Sequence, residues 1–177
     1  MSASSWSSLR LQTALRKDPP ARPAAVCKDE EAYPLIVQTL ASGAQVLLPA
    51  SGHSMQPTLR QNRDSVILSA PPAVLRRCDL PLYRRDSGKL VLHRVVSVQP
   101  DGTYTMCGDH QFEKEAGIRH DQIVGLVTAL HRKGRDVPVT SLRYRLWVRF
   151  WVRALPLRRF FFRCWAGLCK LRGQRER

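Results

Sequence analysis

One short run, Ser51, Gly52, His53, Ser54, Met55, Gln56, Pro57, Thr58 and Leu59, places a serine where it could do chemistry. Gly52 lets the backbone approach a bound peptide closely and Pro57 stiffens the exit, so Ser54 is expected on a shaped loop. A free serine hydroxyl is a poor nucleophile near neutral pH. An imidazole with an ordinary pKa near 6.5 can take its proton and later return it to a leaving amine. The chain has five histidines. His53 adjoins Ser54, and neighbouring extended side chains point to opposite faces, which speaks against it as the base. His110, His120 and His131 read as surface or loop residues. His93 falls in a predicted strand, where a histidine on its own reads as a half-buried packing residue. Local chemistry alone makes the serine run a turn; other segments must give it a role.

The elements that must position these side chains are short. Asp29, Glu30 and Glu31 precede an apolar stretch over 33–40, an acidic first turn suited to a helix that ends near Ser42 and Gly43. After it come β-branched-rich runs at 45–48, 65–68, 89–98, 103–107 and 123–130, separated by Pro, Gly, Asn and Asp. The clearest hairpin joins 91–98 to 103–106 through Pro100, Asp101 and Gly102. A small, mainly β, mostly antiparallel domain is expected over 29–131. No Gly-rich phosphate loop, βαβ alternation or internal repeat is present in the sequence.

The serine run resembles the signature SGxSMxPTL of the signal peptidase I and LexA-type serine peptidase superfamily. Further matches follow in the family's order: Lys89-Leu90-Val91-Leu92-His93-Arg94-Val95-Val96 resembles the strand carrying the general base, Gly108-Asp109-His110 the GDN box, and Asp121-Gln122-Ile123-Val124-Gly125-Leu126-Val127 the closing strand. Together they cover about residues 45–131. The resemblance implies a partly barrel-like antiparallel fold and a serine endopeptidase acting on a signal or leader peptide. Bacterial signal peptidases and LexA-type proteins carry Lys at the base position; His93 followed by Arg94 and Val95 is more similar to the endoplasmic-reticulum and archaeal branch. The implied arrangement is Ser54 as nucleophile, His93 as general acid and base, and Asp109 as the group that orients the imidazole. Ser51, Gly52, His53, Met55 and Pro57 would shape the oxyanion and substrate loop, with backbone N–H groups around Ser54 as oxyanion donors.

The chain also departs from the family pattern. Arg63-Asp64 and Cys78-Asp79 stand where relatives usually have Gly-Asp, which suggests rebuilt turns, because a non-Gly residue at positive φ is disfavoured. The third box reads GDH, no second aspartate follows it closely, and Glu113 or Glu115 stands where it could substitute. A catalytically inactive relative that keeps the fold for binding is therefore an alternative. LexA-like self-cleavage is another, since Ala116-Gly117 and Ala166-Gly167 match the bond type that such proteins cut.

Charge separates the chain into parts. Its 29 Lys+Arg against 14 Asp+Glu give +15, yet residues 1–130 carry only +3 and residues 131–177 carry +12. The basic quarter also holds three of the four Trp and four of the five Phe. We expect a flexible Ser/Pro-rich arm at 1–28, a linker at 132–139 and a basic aromatic tail at 140–177. Signal peptidases usually enter the membrane through an N-terminal helix; none is expected here, and the tail would take over that duty. Arg145, Arg149 and Arg153 recur every four residues on one helical face, against Trp147, Phe150, Trp151 and Leu155. After Pro156 a second segment repeats the pattern with Phe161, Arg163 and Trp165. Such helices suit the interface of an anionic membrane, peripherally. The competing expectation is that the aromatics pack on the β domain. Nucleic acid, the first guess for so basic a chain, is not the expected partner once the charge is located. Five scattered cysteines support neither a disulfide framework nor a metal site, and no cofactor is expected.

Overall fold

The computed structural model describes residues 29–157, with side chains from residue 32 onward. The expected arm at 1–28, and the segment containing Phe161, Arg163 and Trp165, lie outside the described residues. Helix α1 (Asp29–Ala41) is followed by β1 (Val46–Pro49), β2 (Asp64–Ser69), β3 (Pro81–Arg84), β4 (Leu90–Leu92), β5 (Arg94–Val98), β6 (Tyr104–Cys107) and β7 (Glu115–Ile118). A 3-10 turn (His120–Gln122) leads into β8 (Ile123–Arg132), then β9 (Arg135–Pro138) and helix α2 (Leu142–Arg153). The fold is mainly β, and its strand pairings are antiparallel.

The long strand β8 organises the larger sheet. It pairs with β2, β3 and β9, giving the order β1-β2-β8-β3-β4 with β9 added on β8, and the sheet curls into a half-barrel. In β2 the side chains alternate, so Asp64, Val66 and Leu68 are buried and the residues between them only partly so. Helix α1 covers this sheet through Ile36 and Leu40, which join Met55, Leu59, Leu82, Val127 and Leu130 in one core. The helix packs closely because Gly125 lies under it: a Cβ there would meet Leu40 Cδ1 at 2.8 Å. The smaller sheet, β5-β6-β7, encloses a second core of Tyr83, Val91, Val95, Tyr104 and Met106.

Two expectations change at the element level. Residues 89–98, expected as one strand, divide at His93: Leu90–Leu92 pairs with β3 in the larger sheet, whereas Arg94–Val98 pairs with β6 in the smaller one. The stretch 132–139, expected as a linker, is built into the larger sheet, since β9 forms a hairpin with β8 in register from Arg132↔Arg135 to Ala129↔Pro138. The turn uses Lys133 and Gly134, both at positive φ. Charge masked the strand, because Arg135 and Asp136 face solvent on an edge.

Helix α2 docks on the body. Tyr144, Val148, Val152 and Leu155, spaced three or four apart, meet Val96 and Cys107 of the smaller sheet. Burying two valines contributes roughly 3 kcal/mol, enough to hold a helix that polar bonds also anchor.

Candidate active site

The two halves of the serine run have different environments. Ser51, Gly52 and His53 are exposed, Ser54 is half-buried, and Met55, Thr58 and Leu59 are buried. Met55 and Leu59 anchor the loop in the larger core, and Leu59 N–H donates to Met55 O at 2.9 Å. Gly52 adopts φ 74°, a conformation that favours glycine, and the exposed Pro57 follows a cis peptide bond. Arg132, at the end of β8, donates to the carbonyls of Pro57 and Thr58, an anchor that the sequence reading did not identify.

The serine turn is fastened to the Gly108-Asp109-His110 loop. The N–H of His110 donates to Ser54 O at 2.7 Å. A Cβ on Gly108 would stand 2.7 Å from that same oxygen, so only glycine allows this approach. Arg94 of β5 is the register partner of Cys107 of β6. His93 precedes one member of that pair and Gly108 follows the other, so the histidine corner and the glycine against the Ser54 turn lie at the same end of the β5–β6 ladder.

His93 is buried, and its Nδ1 lies 3.3 Å from Tyr83 Oη, at the long end for a hydrogen bond. Tyr83 Oη donates its proton to Glu115 Oε2 at 2.7 Å. A phenol has one proton, so Oη offers a lone pair to Nδ1 and the proton there must belong to the ring. That selects the tautomer with Nδ1–H, leaving Nε2 as the proton acceptor. Glu115 is in turn held by Arg85, whose Nε and guanidinium NH2 donate at 2.8 and 2.6 Å. Burial pushes the Glu115 carboxyl up, but the bonds from Arg85 and Tyr83 outweigh it and hold the group below its usual range. Burial, joined by the Arg85 charge, lowers His93 to about 4, so the imidazole is neutral near pH 7.

Asp109, expected to orient the base, has its carboxylate engaged elsewhere. Arg94 clamps it with two bonds, Nε to Oδ1 at 2.9 Å and NH2 to Oδ2 at 2.6 Å, with both side chains buried. Thr58 Oγ1 donates to Oδ2 at 2.5 Å. The residue thus ties the serine loop to β5, while Tyr83 faces Nδ1 in the place the resemblance implied for Asp109. Its charge still acts on His93 at longer range, favouring the protonated ring. Tyr83 went unrecognised because β3, its strand, was not among the predicted runs; Glu115 was one of two noted substitutes.

The other histidines fall outside this cluster. His53 and His110 are exposed, His120 Nδ1 lies 3.1 Å from Tyr104 Oη, and His131 Nδ1 lies 2.6 Å from Asp136 Oδ1. Cys78 occupies the positive-φ position itself, at 82°, so that turn keeps a left-handed residue without glycine. At the other altered turn the left-handed residue is Asn62, at 61°, one place before Arg63.

Of the expected membrane residues on α2, Trp151 is turned toward the body, where Nε1 donates to Asp109 O at 3.1 Å and the ring stacks on Trp147 with centroids 4.9 Å apart. Arg145, Arg149 and Arg153 are exposed, and Leu142, Leu146 and Phe150 form an apolar stripe, each more than 60% exposed. Among the described residues, no helix is long and apolar enough to cross a membrane.

No protein-family model, no curated protein and no solved structure matches this chain.

Proposed function

We propose that this protein is a serine endopeptidase of the signal peptidase and LexA type, with Ser54 as nucleophile and His93 as general base. The observation that carries this reading is the buried imidazole of His93, with Tyr83 Oη at its Nδ1, next in the chain to Arg94, whose partner Asp109 also accepts from Thr58 of the serine loop. Nε2 of His93 accepts the Ser54 hydroxyl proton as Oγ attacks the scissile carbonyl, and backbone N–H groups of the serine loop receive the oxyanion. The ring then protonates the leaving amine, and water repeats the cycle on the acyl-enzyme. Tyr83 and Glu115 hold the ring and stabilise the transient imidazolium. The substrate is a peptide or preprotein with a small residue before the cleaved bond, as the resemblance to signal peptidases implies.

A fluorophosphonate probe tests the chemistry directly. The wild-type chain should be labelled at one serine, and both Ser54→Ala and His93→Gln should lose the label. Equal labelling of wild type and Ser54→Ala would sink the reading in favour of an inactive binding relative.

Membrane seating is the second part of the proposal. The exposed Leu142, Leu146 and Phe150 stripe, with Arg145, Arg149 and Arg153 beside it, suits a helix lying in an anionic interface. A spanning helix with several arginines would cost roughly 2.5–3.5 kcal/mol for each one at its centre.

A further inference from the structure

Between the loop at 76–79 and helix α2 lies a cavity of about 460 Å³. Arg76 and Arg77 reach it from the loop, Arg145 and Arg149 from the helix. Its apolar lining includes Leu80, Val127, Val139 and Val148. Asp79 is the single carboxylate in the lining, and its Oδ2 accepts the backbone N–H of Arg76 at 2.7 Å, closing the turn. Among the described residues, none of the four guanidinium groups enters an ion pair, whereas Arg85 and Arg94 are each matched to a carboxylate.

Four like charges around one hollow repel one another unless an anion joins them. Guanidinium is also the side chain whose planar fork best fits phosphate oxygens. The apolar lining suits the ester side of such a ligand more than a bare inorganic ion. We propose that this cavity binds a phosphate-ester headgroup and that, on a membrane, an anionic phospholipid supplies it. The proposal deepens the membrane seating described above and is independent of the peptidase chemistry. Leu146 and Phe150 of the exposed stripe directly follow Arg145 and Arg149 in the chain, so acyl chains have an apolar surface next to the held headgroup.

The test uses the full chain and two double variants of equal charge. Arg76→Gln with Arg149→Gln removes two cavity groups; Arg143→Gln with Arg153→Gln removes two from elsewhere on α2. All four residues are exposed, so both variants should melt like the wild type, which circular dichroism checks. Cosedimentation with vesicles of phosphatidylglycerol in phosphatidylcholine should show a loss on the order of a hundredfold for the cavity pair against about tenfold for the control pair. Glycerol 3-phosphate should bind the wild type and the control pair but not the cavity pair. Equal losses in the two pairs, with no glycerol phosphate binding, would overturn the cavity and leave diffuse membrane attraction standing. Glycerol phosphate binding without vesicle binding would keep the phosphate-ester site, refute its lipid source and refute the seating of α2.

Discussion

His93 is held neutral by burial and by the neighbouring Arg85, which lower its pKa to about 4, and in the proposed reaction its use as a base depends on which nitrogen is protonated. Tyr83 decides that, because its own proton goes to Glu115. Replacing Tyr83 with Phe keeps the ring packing and removes the acceptor for Nδ1–H. We expect Tyr83→Phe to lower kcat/KM for a fluorogenic peptide with alanine before the scissile bond by about 10²-fold, while KM changes little. An unchanged rate would show that the ring needs no orientation from Oη. The pH profile is the companion measurement. The acidic limb of kcat/KM reports the base in the free enzyme, so it should lie at about pH 4 instead of near 6.5. A limb at 6.5 would mean that the working base is a solvated histidine.

At the level of elements, the loop at 108–110 is a junction. It receives Arg94 from β5, Thr58 and Ser54 from the serine loop, and Trp151 from α2. Arg94 also donates to Tyr144 Oη at 3.2 Å and to Cys78 O at 3.1 Å, so helix and turn share one buried cation. Neutralising Asp109 leaves that cation without its counter-charge. Asp109→Asn should therefore destabilise the fold by about 3–5 kcal/mol, read by urea unfolding, whereas an Asp that only oriented His93 would leave stability nearly unchanged. The Cys78 turn makes the opposite case. A non-Gly residue at φ 82° carries strain of about 1–2 kcal/mol, and Cys78→Gly removes it while giving up a half-buried thiol and some chain stiffness. A net gain of about 0.5–1 kcal/mol is expected, seen as a raised Tm; a lowered Tm would show that thiol packing outweighs the strain.

For the whole molecule, the burial that sets the proton binding of His93 in the proposed reaction also sets an acid response. His93 binds its proton less readily folded than unfolded, so the unfolded chain gains protons first as pH falls. The contribution of His93 to stability is complete above about pH 6.5 and declines as pH drops toward 4. Glu115, held below its usual range, adds a loss in the same direction at still lower pH. Between pH 7 and 4.5 the loss from His93 should reach about 2–3 kcal/mol. His93→Gln should lack that part, so its Tm should fall less over the same interval; parallel Tm curves would refute the buried, neutral ring. The charge is uneven along the chain, +12 on residues 131–177 against +3 on residues 1–130. The acidic start of α1, the strand run at 65–68 and the Pro100-Asp101-Gly102 hairpin were legible in residue order, because each depends on neighbours a few positions away. Strands β3, β7 and β9 were not, since Pro81–Arg84, Glu115–Ile118 and Arg135–Pro138 carry proline, glycine or charge in place of a β-branched run. Tyr83 beside His93, Asp109 on Arg94, and Trp151, expected at a membrane, on the Asp109 carbonyl are pairings between separate elements that no local pattern announces. Types of side chain and local turns follow from short-range sterics and hydrophobic spacing; which proton faces which lone pair depends on strands brought together across tens of residues, and only the packed sheets settle that.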